Sequence, residues 1–140
     1  MKKEKLESCF DFEAVRALEL PKGKYAVFGS GPLAARGLKK AGDIDLIVTP
    51  DLFAELLARK EFTQKPAESG SPSLVVGDVE IFCDWNCGMT EQVSEMIATA
   101  EEIEGLPFVQ LKFVAEWKRK YGREKDLRDL ALIEKFLAKS

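Results

Sequence analysis

Histidine is missing from the 140-residue sequence. Its absence removes Ser-His-Asp and Cys-His catalysis, imidazole acid/base chemistry and most transition-metal sites. Cysteine is scarce and odd in number. Cys9, Cys83 and Cys87 form no Cys-x-x-Cys pair and have no partner ligands at zinc-site spacing, so they read as buried or incidental thiols. No apolar run approaches the eighteen or so residues of a membrane span. The opening Met-Lys-Lys-Glu-Lys turns amphipathic without the apolar core of a secretory signal, so a cytoplasmic location is expected. Charge of one sign is lacking too: the formal net charge is −3, which gives the whole chain no general attraction for nucleic acid.

What remains for chemistry is carboxylate, lysine, arginine and hydroxyl. Carboxylates without soft ligands suit magnesium or manganese. Hydrophobic residues at 46% and charged residues at 32% are ordinary for a globular protein, and the length fits a single domain with a real core. The stretch Lys118-Arg119-Lys120-Tyr121-Gly122-Arg123-Glu124-Lys125 is locally positive, enough to serve a polyanion as small as a triphosphate.

Periodicity and punctuation predict the elements. Asp11–Leu20 reads as an amphipathic helix ended by Pro21 and Gly23. Tyr25–Phe28 is a short strand running into Gly29-Ser30-Gly31, and Pro32 opens a helix expected to reach about Lys40, where Ala41-Gly42 breaks it. Asp43–Val48 alternates as a strand, with Ile44, Leu46 and Val48 on one face and Asp43, Asp45 and Ile47 on the other. A helix follows over about Asp51–Lys60, and Glu61–Ser73 reads as a loop. Ser73–Val76 and Val79–Phe82 flank Gly77-Asp78 as a β-hairpin. Met89–Ala100 is expected as a helix capped by Thr90, with strand an alternative for part of it, and Pro107–Val109 as a last strand. Helices over about Leu111–Tyr121 and Glu124–Lys139, divided by Gly122, close the chain. The order predicts an α+β fold: a small mixed sheet with helices packed on it and a C-terminal helical pair.

Four features carry chemistry. Asp43 and Asp45 lie on one strand face about 7 Å apart, from where their carboxylates can converge on cations ~4 Å apart. A cation also relieves the repulsion between two neighbouring acids. The Gly29-Ser30 turn, between a strand and a helix N-terminus, presents backbone N–H groups and a hydroxyl to an anion. Glu80 has the parity opposite to Val79 and Ile81, which places it on the polar side of its hairpin strand with Phe82 and Asp84, where it could complete a triad with Asp43 and Asp45 as metal ligand and general base. Lys118 shares a helical stripe with Leu111, Val114 and Ala115, so it either snorkels to water or meets a buried anion.

Together these residues resemble the DNA polymerase beta-like nucleotidyltransferase superfamily, especially its small stand-alone bacterial and archaeal members. That pattern is a hydrophobic strand, Gly-Ser, ten to thirteen residues, then Asp-hydrophobic-Asp-hydrophobic. Here Val27-Phe28-Gly29-Ser30 precedes Asp43-Ile44-Asp45-Leu46 by twelve residues, and the spacer contains the similar Ala35-Arg36-Gly37. The tail from Trp117 to Asp129 resembles the Lys…Gly-Arg-x-Lys-Asp-x-x-Asp tail of nucleotidyltransferase-like proteins. Glu80 stands where aspartate is usual, and Gly42 where small members often carry serine.

The resemblance implies two divalent metals, Mg2+ or Mn2+, on Asp43 and Asp45, with Glu80 helping to activate an acceptor hydroxyl. It implies phosphate binding by Gly29 and Ser30 and a phosphate contact from Lys118, with Arg36, Arg123 and Lys125 as further candidate nucleotide contacts. The expected activity is transfer of a nucleoside monophosphate from a nucleoside triphosphate to a hydroxyl, releasing pyrophosphate. The alternative is a non-catalytic, regulatory or antitoxin-like relative that binds nucleotide, a protein partner or a second copy of itself. Nucleic acid is expected only as an acceptor, since the chain is acidic and lacks an aromatic, basic sheet face.

Overall fold

A computed structural model describes residues 9–65, 72–84 and 90–139. Its helices are α1 (Phe12–Arg16), α2 (Gly31–Ala34), α3 (Pro50–Leu57), α4 (Val93–Ala98), α5 (Leu111–Tyr121) and α6 (Glu124–Ala138). The strands are β1 (Tyr25–Phe28), β2 (Ile44–Val48), β3 (Thr63–Lys65), β4 (Ser73–Val76), β5 (Val79–Phe82), β6 (Glu101–Ile103) and β7 (Leu106–Phe108). All seven join one mixed sheet in the order β3-β4-β5-β2-β1-β7-β6. None of the described helices is long and apolar enough to cross a membrane.

Both faces of the sheet are covered, so the central strands are buried throughout: every residue of β1 is buried. Val27, Leu46, Val48, Leu74 and Ile81 pack with Phe12 of α1 and with Leu52, Phe53 and Leu56 of α3. On the opposite face, Ala26, Phe28 and Ile47 meet Met96 of α4, Val114 and Trp117 of α5, and Leu130 and Ile133 of α6. Strand alternation sorts the two sets. The same alternation puts Asp45 and Glu80 on the α4–α6 side.

The mixed α+β class, β1, the β4–β5 hairpin and α5 lie where the sequence predicts them. Other elements differ. The helix expected to reach Lys40 stops at Ala34. Gly37 takes φ +76°, while Leu38 N–H donates to Leu33 O and Gly37 N–H to Ala34 O. This paired closure terminates a helix on a left-handed residue, so Gly37 is the stop rather than Ala41-Gly42. The first helix is likewise shorter than Asp11–Leu20, with Asp11 as its N-cap accepting from Ala14 N–H at 3.1 Å.

Part of the expected loop after α3 is strand β3. Thr-Gln-Lys is polar and exposed at every position and joins through its backbone to the edge of β4, leaving no apolar alternation to detect. Strand β6 pairs antiparallel with β7 across Glu104-Gly105. The helix expected over Met89–Ala100 is a 3-10 turn at Thr90–Gln92 followed by α4, with Gln92 as its N-cap instead of Thr90. Met89 lies outside the described residues.

Candidate functional site

Strand β1 ends at Phe28, and the chain turns at Gly29 with φ +66°. A Cβ on Gly29 would sit 2.5 Å from Asp45 Oδ2, so this glycine meets both a left-handed backbone and a carboxylate packed against it. Gly29→Ala is expected to destabilise the protein by at least ~2 kcal/mol, combining a left-handed alanine with that collision. Thermal denaturation tests this, and a loss below ~0.5 kcal/mol would contradict the packing.

Ser30 follows as the N-cap of α2 but makes no capping hydrogen bond through its side chain. With α2 only four residues long, the dipole expected of a helix reaching Lys40 is not developed. Ser30 borders a cavity of about 380 Å³.

Acids line one side of that cavity. Strands β2 and β5 run parallel with Asp45 opposite Glu80 and Ile47 opposite Phe82, and neighbouring strands stand ~4.8 Å apart. Asp43 enters from the exposed residue just before β2, and Asp84 from just beyond β5. Burial, then the charges of Glu80 and Asp43, push the Asp45 carboxyl up from 3.8 to about 7, while Lys118 pulls weakly the other way. Glu80 Oε2 accepts the hydroxyl hydrogen of buried Ser73 at 2.5 Å. Asp84 holds one buried carboxylate oxygen with no hydrogen-bond partner among the described residues. Among those residues, no three acidic or thiol side chains are already gathered as a metal-ligating group.

The facing wall comes from α5 and α6. Trp117 and Tyr121 border the cavity with their rings 6.1 Å apart. Lys118 does not snorkel: its side chain is 3% exposed, and its ammonium lies 2.9 Å from Asp129 Oδ2 and 3.5 Å from Asp126 Oδ1. Of the two possibilities for a lysine on an apolar stripe, this one meets buried anions. Asp126 also accepts from Arg123 Nε at 2.6 Å. Burial by itself would raise its carboxyl, but the Arg123 hydrogen bonds and the Lys118 charge hold it below the ordinary value. Asp129 is shared with Lys39, whose ammonium is 3.1 Å from both carboxylate oxygens.

Of the residues singled out in the sequence, Ser30, Asp43, Asp45, Glu80, Lys118, Arg123 and Lys125 border this one cavity. Gly29 stands behind Asp45. Arg36 is not in the lining: it donates to Pro32 O and Glu101 and lies over the Phe136 ring. Lys39, Asp84, Trp117, Tyr121 and Asp129 also line the cavity. For Asp84 the signal was its shared parity with Glu80, whereas Lys39 and Asp129 meet only through the tertiary fold.

A second cavity of about 520 Å³ carries Asp11 and Asp78 and, among the described residues, no basic side chain to oppose them. Cys9 and Cys83 are free and half-buried. Burial, then the charge of Asp84, raises the Cys83 thiol, which disfavours a reactive thiolate. Cys87 lies outside the described residues.

No protein-family model matches the sequence, and no curated protein matches it.

Proposed function

We propose that the cavity binds a nucleoside triphosphate with magnesium or manganese, and that the protein transfers a nucleoside monophosphate to an acceptor hydroxyl. The observation that carries this reading is the register of Asp45 against Glu80, with Asp43 at the strand entrance and basic residues across the cavity. Burial, then the charges of Glu80 and Asp43, raises the Asp45 carboxyl, and a divalent cation offsets the repulsion among these acids. The donors suit such ions: among the described residues lining the cavity the acidic donors are carboxylate oxygens, without sulfur.

In this reading Asp43 and Asp45 would hold two ions, with Glu80 completing the set on release from Ser73. When bound, the ions supply charge neutralisation on the phosphate oxygens. Ser30 would donate to the phosphate chain, and Tyr121, whose ring carries the Arg123 guanidinium at 4.2 Å, would stand at the cavity wall beside the nucleoside. Glu80 would accept the proton of the acceptor hydroxyl while the acceptor's oxygen bonds the α-phosphorus. The bond from that phosphorus to the bridging oxygen breaks, and pyrophosphate leaves. A volume near 380 Å³ falls in the lower part of the range for small-molecule pockets.

A second reading is favoured by one observation, the hold of Ser73 on Glu80. A protein that keeps Glu80 there would bind nucleotide without turnover, as a regulatory or antitoxin-like partner protein. Calorimetry of the wild-type protein with each common triphosphate, with and without magnesium, tests the shared premise. Magnesium-dependent heat is expected for at least one of them; no heat with any sinks both nucleotide readings. Pyrophosphate release from a binding triphosphate, given candidate hydroxyl acceptors, then separates enzyme from regulator.

A further inference from the structure

We propose that Lys39, rather than Lys118, is the lysine that binds the phosphate chain; this rests on the triphosphate reading above. Among the described residues, Lys39, Lys118, Arg123, Asp126 and Asp129 form one charged network at the cavity wall. Two carboxylates are matched in charge by Lys118 and Arg123, so Lys39 is the surplus cation. Its side chain is 31% exposed, against 3% for Lys118.

The consequences of leaving the network differ as sharply as the exposures. If Lys39 swings away, Asp129 keeps Lys118 at 2.9 Å and its charge stays matched. If Lys118 leaves, Asp126 and Asp129 lose their buried cation and keep only the partly exposed Arg123 and Lys39. Lys118 is therefore fixed, and Lys39 is exchangeable.

Placement supports the same assignment. Lys39 belongs to the connection from α2 to β2 that leads to Asp43, and it borders the cavity together with Ser30, the N-cap at the other end of α2. A phosphate chain beside the Ser30 hydroxyl presents several negative charges to a lysine otherwise paired with one carboxylate. The compact ammonium acts there as a point charge on a flexible stem. Asp129 is the resting partner that keeps Lys39 at the cavity edge.

Calorimetry with magnesium tests the assignment on wild type, Lys39→Met and Lys39→Arg, with ATP and with inorganic tripolyphosphate, which has no base. Lys39→Met is expected to weaken both ligands about tenfold, and Lys39→Arg to recover most of that loss. The melting temperature of Lys39→Met should move by less than about 2 °C, because Asp129 retains Lys118. Wild-type affinity in Lys39→Met, or failure of Lys39→Arg to recover it, overturns the assignment while leaving the triphosphate reading intact. Absence of ATP binding by the wild-type protein overturns that reading, and the assignment with it.

Discussion

Asp45→Asn is expected to melt roughly 10 °C above the wild-type protein at pH 8 without metal, and to lose magnesium-dependent triphosphate binding. The carboxyl of Asp45 ionises near 7 in the folded chain against 3.8 as its ordinary value, first through burial and then through the charges of Glu80 and Asp43. Between those values the folded state binds the proton more tightly than the unfolded chain, so stability falls as pH rises from about 4 to about 7 and then levels off. The cost at pH 8 is on the order of 3–4 kcal/mol, worth about 10 °C in a chain of this size. Asparagine keeps the shape and removes the charge. Melting curves at pH 5 and pH 8 check the sign: the gap between variant and wild type should be less than half as large at pH 5. Equal gaps would contradict it. Magnesium at pH 8 should stabilise the wild type and leave Asp45→Asn unmoved, the trade between stability and function expected of charges gathered for a ligand.

Lys118→Met should act in the opposite direction. Lys118 is 3% exposed and faces Asp126 and Asp129, whose side chains are 0% and 7% exposed. Removing it takes the buried cation from a set in which Arg123 still faces Asp126 and Lys39 still faces Asp129, so the loss should lie below the ~3–5 kcal/mol of a broken buried pair, at about 2 kcal/mol. At a few degrees per kcal/mol the melting temperature falls by about 5 °C. The gap should narrow under acid. Asp126 is held below its ordinary value, so its contribution is present above about 3.8 and is lost as pH falls through its lowered folded value. Urea denaturation at pH 7 measures the loss, and a change under ~1 kcal/mol would refute the buried-pair account. Adding Asp129→Asn to Lys118→Met should restore part of the stability, a coupling that a packing defect alone would not produce.

Much of this arrangement is legible in the sequence because it follows from alternation and punctuation. Ile44, Leu46 and Val48 mark the face of β2 that meets α1 and α3 and thereby put Asp45 on the other; Val79 and Ile81 do the same for Glu80. Gly77-Asp78 sets the β4–β5 hairpin, and Gly122 divides α5 from α6. Elements held by backbone pairing alone left no such trace, as in the polar edge strand β3. The end of α2 was legible in principle at Gly37, but Ala41-Gly42 offered a competing break. The partners of Lys118 are harder still. Asp126 and Asp129 lie one helix later, and only the α5–α6 packing shows that they meet this lysine. Lys39 is ninety residues from Asp129, with no periodic relation to it.

The pairing of β2 with β5 also bears on inheritance. Glu80 is kept opposite Asp45 by Val79 and Ile81, two side chains buried on the other face of the sheet. A one-residue insertion or deletion inside β5 would turn Glu80 toward α1 and α3 and drive an apolar side chain against the acids. Such a change would cost a buried carboxylate and a lost core contact before any chemistry were affected. Selection for a dry core therefore conserves the alignment of the acids, whether or not the cavity itself is under selection at that moment.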